Sequence, residues 1–91
     1  MKKSKKDLFK VKLTRKAEKF LKRLSEKDRK RILNALRKLE DPITAGAEKV
    51  EGTEFHKIRV GKIRIVFYID WDNKIVAVFR IDKRERIYDR L

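Results

Sequence analysis

Hydrophobic and polar residues recur along this chain with two different periods, and the switch between them marks out its elements. Phe9, Val11 and Leu13 alternate with Lys10 and Lys12, which predicts a first strand. Ala17, Phe20, Leu21 and Leu24 then follow the i, i+3, i+4, i+7 spacing of an amphipathic helix, with Thr14 as its N-cap. A second stripe, Ile32, Ala35, Leu36 and Leu39, follows Ser25, a second cap, and Pro42 ends it. Two helices that abut at Ser25 with almost no loop predict a helical hairpin. Asp41 to Glu54, carrying Pro42, Gly46 and Gly52, reads as a loop. Period two then returns for three strands, near residues 55–60, 63–70 and 74–81.

The first pair of these strands has a defined register. If Gly61 and Lys62 form a two-residue turn, with Gly in the first position of a type II′ turn, Val60 pairs with Ile63, Arg59 with Arg64 and Ile58 with Ile65. Ile58, Val60, Ile63 and Ile65 then share one face, as a core requires, and Lys57, Arg59 and Arg64 share the other. Like charges directly across a strand pair are unfavourable, so stability alone gives no reason to set Arg59 opposite Arg64. A bound anion would remove that cost. The plain alternative is a solvated sheet face in a very basic protein.

The last hairpin allows two registers. A two-residue turn at Asp72-Asn73 sets Ile65 opposite Arg80 and mixes the faces. A three-residue Trp71-Asp72-Asn73 loop, with Asn73 left-handed, pairs Asp70 with Lys74, Phe67 with Ala77 and Ile65 with Phe79. The second places Ile63, Ile65, Phe67, Ile69, Ile75, Ala77, Phe79 and Ile81 on one face, which the two helices would cover. The expected architecture is α+β: a small, twisted, mainly antiparallel four-stranded sheet with an N-terminal helical hairpin packed on one face and the other face basic and open.

Composition narrows the function. Ninety-one residues make a single domain spanning 1–91, with Met1 to Lys6 as a basic flexible tail. There is no cysteine, and the only histidine, His56, has no acidic cluster spaced around it, so neither disulfides nor a metal centre is expected. No apolar run approaches the ~20 residues of a membrane span and no apolar segment follows the Lys-rich start, which predicts a soluble, cytoplasmic chain. The 46% charged residues, the lack of Gln and the presence of only Asn34 and Asn73 fit a thermophilic source. The net charge of +14 favours a polyanionic partner, with nucleic acid the usual one. Arg15 to Lys38 alone carry 11 basic and 3 acidic residues, a one-sidedness that suits phosphate binding better than plain solvation.

The chain has no Ser/His/Asp set, no paired carboxylates in a pocket and no phosphate-cradling Gly loop. What remains is cations and a phenol. Arg84 and Tyr88 follow the last strand, where they can lean over the basic face. That set suits phosphoryl transfer without a metal, in which positioned cations stabilise charge growing on phosphate oxygens. RNA already carries its nucleophile, the 2′-hydroxyl, so a protein need only orient it, assist its deprotonation and protonate the leaving 5′-oxygen.

The segments Glu54-Phe55-His56-Lys57-Ile58-Arg59-Val60-Gly61-Lys62-Ile63-Arg64-Ile65-Val66-Phe67 and Phe79-Arg80-Ile81-Asp82-Lys83-Arg84-Glu85-Arg86-Ile87-Tyr88 resemble the RelE family of the RelE/ParE toxin superfamily. The likeness covers almost the whole chain. It implies a toxin of a type II toxin–antitoxin system: a metal-independent endoribonuclease that enters the ribosomal A site, cleaves messenger RNA and is held inactive by a RelB-like antitoxin. No cofactor is implied. By position, Lys57, Arg59, Arg64, Arg84 and Tyr88 match the family's functional residues. Arg64 would hold the scissile phosphate, Arg84 the leaving oxygen, and Tyr88 would stack on a base or orient the hydroxyl. Lys57 and Arg59 would add positive field, with Lys57 the better base because arginine does not deprotonate. The chain departs from many relatives in having Lys83 in place of His, Ile63 in place of an aromatic, His56 in place of Trp and Phe67 in place of Tyr. The missing His removes one general acid or base. Alternation puts His56 on the core face, outside the site, and Arg80, Arg86 and Trp71 have plain structural readings. Two other functions fit: ParE-like inhibition of DNA gyrase, and a non-catalytic RNA- or ribosome-binding module for which charge alone suffices.

Overall fold

Thr14 and Ser25 start the two helices by the same device. In a computed structural model of the protein, which describes residues 8–83, Thr14 Oγ1 accepts the Ala17 N–H and Ser25 Oγ accepts the Asp28 N–H, both at 3.2 Å. Each cap is worth about 1 kcal/mol. Helix α1 (Arg15–Arg23) stops where Leu24 turns extended, and α2 (Glu26–Lys38) begins two residues later. Arg29 Nη2 donates to the Leu24 carbonyl at 3.0 Å, so the first turn of α2 ties down the end of α1. This is the expected helical hairpin.

The strands are β1 (Lys10–Leu13), β2 (Glu48–Lys49), β3 (Phe55–Val60), β4 (Ile63–Asp70) and β5 (Ile75–Lys83). They form one sheet in the order β1-β5-β4-β3-β2, parallel between β1 and β5 and antiparallel elsewhere. The helices cover one face. There Ile32, Leu36 and Leu39 of the hairpin pack into a single core with Ile65, Phe67, Val76 and Val78 of the sheet. Ile32, Leu39, Ile65, Phe67, Val76 and Val78 lose essentially all solvent contact. The α+β architecture is the one expected, with a fifth strand: Glu48–Lys49 pair with Lys57 and His56 inside the segment read as a loop. Two charged residues carry no apolar alternation, so that strand left no hydropathy signal.

The β3–β4 hairpin has the expected register, with Val60 on Ile63, Arg59 on Arg64 and Ile58 on Ile65. Gly61 has φ +64° while Lys62 keeps an ordinary negative φ, the pattern of a type II′ turn. The last hairpin differs from both registers considered. Asp70 pairs with Ile75 across a four-residue loop, and the left-handed residue is Lys74 rather than Asn73. The loop is organised by Asp70, whose carboxylate accepts the Asn73 N–H at 3.1 Å and Asn73 Nδ2 at 2.9 Å. These bonds, the side-chain one foremost, hold the Asp70 pKa below the usual carboxylate value. Trp71 packs edge-on against Phe9, their ring centroids 5.6 Å apart.

This shift moves Val76 and Val78 into the core and puts Ile75, Ala77 and Phe79 on the opposite face, correcting the expected assignment. A bulge between Val66 and Phe67 then adds a second one-residue offset, so Ile65 meets Ile81 and the apolar parity is restored. Phe79 is the extra residue on β5.

Candidate functional site

No described helix covers the second sheet face, and on it the hairpin register lines up side chains in rows. One row runs Phe55, Tyr68, Ala77; the next Lys57, Val66, Arg80; the next Arg59, Arg64, Asp82. Lys57, Arg59 and Arg64 therefore share this face, as the alternation predicted. Arg64 sits on the central strand beside the β3–β4 turn with 23% of its side chain exposed, which marks it as partly desolvated, whereas Arg59 is exposed. Arg84 and Tyr88 lie outside the described residues, directly after β5.

Two further residues join the cluster. Asp82, on β5 opposite Arg64, holds one carboxylate between two guanidinium groups: Oδ1 is 3.5 Å from Arg64 Nε and Oδ2 is 3.2 Å from Arg80 Nε. Arg64 Nε and Asp82 Oδ1 are both buried yet have no hydrogen-bond partner. Their contact is electrostatic. Arg80, given a plain reading from sequence, lies within this cluster. Neither role was legible beforehand, because both depend on the β4–β5 register.

At the edge of the sheet the basic face continues onto the helices. Arg31, Asn34 and Lys38 of α2 line a groove of about 680 Å³ together with Glu48, Lys57 and Arg59. The Arg31 guanidinium reaches the β3–β4 turn, 3.6 Å from where a Cβ on Gly61 would stand. The Lys57 ammonium is 3.9 Å from Glu48 Oε1, a pair on the exposed rim, and Arg59 pairs with no carboxylate among the described residues. The basic helix surface and the sheet cations thus form one continuous field around the β3 edge.

His56 lies on the core face as expected, its ring stacked on Phe67 with centroids 5.6 Å apart and planes 19° apart. It faces the opposite side of the sheet from Lys57, Arg59 and Arg64. Among the described residues no group of three or more His, Cys, Asp or Glu could hold a metal ion, and no helix is long and apolar enough to cross a membrane.

Cations converging on a sheet face opposite a helical layer define a small α+β protein suited to engaging a polyanion. The family model described as the ParE toxin of the type II toxin-antitoxin system, parDE, matches residues 11–88. The chain belongs to this family and is a toxin of a type II toxin–antitoxin system. No curated protein sequence matches it. Among solved structures, RelE of the archaeal RelE–RelB complex from Pyrococcus horikoshii OT3 is similar with a TM-score of 0.76 and 24% identity, over 87% of this chain and 98% of that one. The isolated E. coli RelE toxin gives a TM-score of 0.76 at 21% identity, over 90% and 93%. A chain of the chromosomal ParDE system from P. aeruginosa gives 0.69 at 18%, over 85% and 97%. At these identities the likeness establishes the shared fold.

Proposed function

We propose that the chain is a ribosome-dependent endoribonuclease that cleaves messenger RNA in the A site without a metal ion, acting through its basic sheet face. The observation that carries this reading is the placement of Arg64, largely shielded on the central strand, between Arg59 and Asp82 with Lys57 and Arg80 one row away. In the reaction the 2′-oxygen attacks phosphorus as the 2′-hydroxyl proton leaves. The bond to the 5′-oxygen breaks, that oxygen takes up a proton, and the products end in a 2′,3′-cyclic phosphate and a 5′-hydroxyl. Arg64 binds the non-bridging oxygens, whose charge grows toward the transition state. Lys57 is assigned the place of the proton acceptor, since an arginine cannot serve. Arg84 supports the leaving oxygen, and Tyr88 orients the attacking nucleotide or stacks on its base.

A RelB-like antitoxin is the cognate partner. The relatives from P. horikoshii, M. tuberculosis, E. coli and Methanococcus jannaschii were solved as toxin–antitoxin complexes, and a net charge of +14 offers an acidic inhibitor a large surface. A second reading, inhibition of DNA gyrase, is favoured by the match to the ParE model. Adding the purified chain separately to a translation reaction and to a gyrase supercoiling reaction tests the proposal. Message fragments with unimpaired supercoiling support cleavage; impaired supercoiling with intact messages supports the second reading.

A further inference from the structure

The open sheet face carries a second kind of chemistry beside its cations. Phe55, Tyr68 and Phe79 gather there, with Phe55 in the middle: its ring centroid is 6.3 Å from that of Tyr68 and 5.3 Å from that of Phe79. Phe79 reaches this position because it is the extra residue of the β4–β5 bulge, and its ring crosses β4 to meet a residue of β3. Tyr68 and Phe79 keep 41% and 48% of their surface exposed. The planes within the trio meet at 65° and 38°, so the rings do not close on one another as a sandwich. Exposed aromatic rings grouped on one face mark an interaction site more often than a solvated surface.

The neighbours of the trio select the partner. The adjoining row carries Lys57 and Arg80, and the row after it Arg59 and Arg64. The carboxylates of this face are engaged: Asp70 is turned into its own loop by two bonds from Asn73, Glu48 pairs with Lys57, and Asp82 lies between Arg64 and Arg80. Aromatic faces beside a track of cations are the arrangement by which proteins hold single-stranded nucleic acid, the rings stacking on bases while the cations follow the phosphates. An inserted protein side chain calls instead for a concave pocket.

We infer that Phe55, Tyr68 and Phe79 form a base-stacking subsite for single-stranded RNA, contiguous with the basic cluster and separate from the scissile position. The inference rests on the RNA-cleaving reading and adds to it a second contact along the message. Tyr68 is four residues along β4 from Arg64, about 13 Å, so the stacked base belongs to a neighbour of the cleaved nucleotide. Phe79 and Tyr68 offer the accessible ring faces, and Phe55 buttresses both. Stacking accepts any base, so the subsite strengthens binding without setting a sequence preference.

The probe is a short 2′-O-methyl oligoribonucleotide, which cannot be cleaved, carrying 2-aminopurine, whose fluorescence is quenched on stacking. The wild-type chain should bind it with quenching. Phe79→Ala and Tyr68→Ala should each weaken binding by about 5- to 100-fold and lose quenching. Phe79→Trp should restore both, which a simple loss of folding would not allow, and Leu33→Ala, at an exposed position on α2, should change neither. Wild-type binding without quenching, an absence of binding, or ring variants that bind as tightly as wild type would overturn the inference. So would ring variants that lose affinity for the antitoxin alone, which would make the trio a protein anchor. Cleavage of translated messages by the wild type is scored separately: cleavage with no effect of the ring variants removes the subsite and leaves the nuclease standing, while stacking without cleavage removes the nuclease reading.

Discussion

Arg64 Nε stands 3.5 Å from Asp82 Oδ1 across the β4–β5 pair, close enough to attract and too far to bond well. On the proposed reading this carboxylate competes with a phosphate oxygen for Arg64. The facing atoms are buried but the two side chains keep 23% and 26% of their surface exposed, so a polyanion that reaches the rest of the guanidinium competes with the carboxylate. Asp82→Asn keeps the shape and removes the competing charge. Affinity for a single-stranded oligoribonucleotide should rise roughly threefold to tenfold at low salt, and the gain should shrink as salt is added. A fluorescence titration at two ionic strengths checks it.

Removing Arg64 itself should separate binding from chemistry. An interaction that strengthens in the transition state appears in the chemical step, with a loss on the order of 10² or more for a preorganised charge. Ribosome binding by Arg64→Ala should stay within a few-fold of wild type, because the remaining cations carry most of the attraction. Single-turnover cleavage and sedimentation with ribosomes measure the two quantities side by side.

The β5 register can be checked by stability alone. Val78 is fully buried and Phe79 is half exposed, the reverse of what a three-residue loop would give. Val78→Ala should cost about 2 kcal/mol in denaturant unfolding, and Phe79→Ala less than about 1 kcal/mol despite removing the larger side chain. Equal costs would contradict the bulged register.

That contrast also shows where the fold was legible. Gly61 supplies the positive φ that a two-residue turn needs, so one residue set the β3–β4 register and with it the common face of Lys57, Arg59 and Arg64. Thr14 and Ser25 marked the helix starts because their side chains bond the backbone locally. The β5 strand obeyed no such local rule. Its loop was compatible with several lengths, and both Ile75-Ala77-Phe79 and Val76-Val78 are apolar, so alternation could not choose between them. The bulge then changed parity again, which hid the approach of Arg80 and Asp82 to Arg64 and of Phe79 to Phe55.

Acid should loosen the β4–β5 loop. The Asp70 carboxyl has its pKa lowered by its bonds from Asn73, so its ionised form is favoured in the folded state. Such a group contributes stability that is fully present above the unfolded carboxylate value, about 4, and is lost as pH falls through the lower folded value. Wild type should therefore exceed Asp70→Ala in denaturant midpoint at pH about 6, and the gap should narrow on acidification below about 4. A constant gap across that range would show that the carboxylate charge is not involved.

Association with the antitoxin should slow as salt rises, because a net charge of +14 steers an acidic partner at long range. Dissociation should respond little if apolar contacts hold the complex once formed. Stopped-flow association across a salt series reads this, and a salt-independent rate would assign the charge to another partner.

The central claim, that the basic face cleaves RNA through its own 2′-hydroxyl, is tested most directly by the chemistry of the RNA ends made in a translation reaction containing the purified chain. New ends should fall within the A-site codon, with a 5′-hydroxyl on the downstream fragment and a 2′,3′-cyclic phosphate on the upstream one, and they should vanish with Arg64→Ala. Fragments with 5′-phosphate ends, ends unaffected by Arg64→Ala, or arrested translation with intact messages would contradict it.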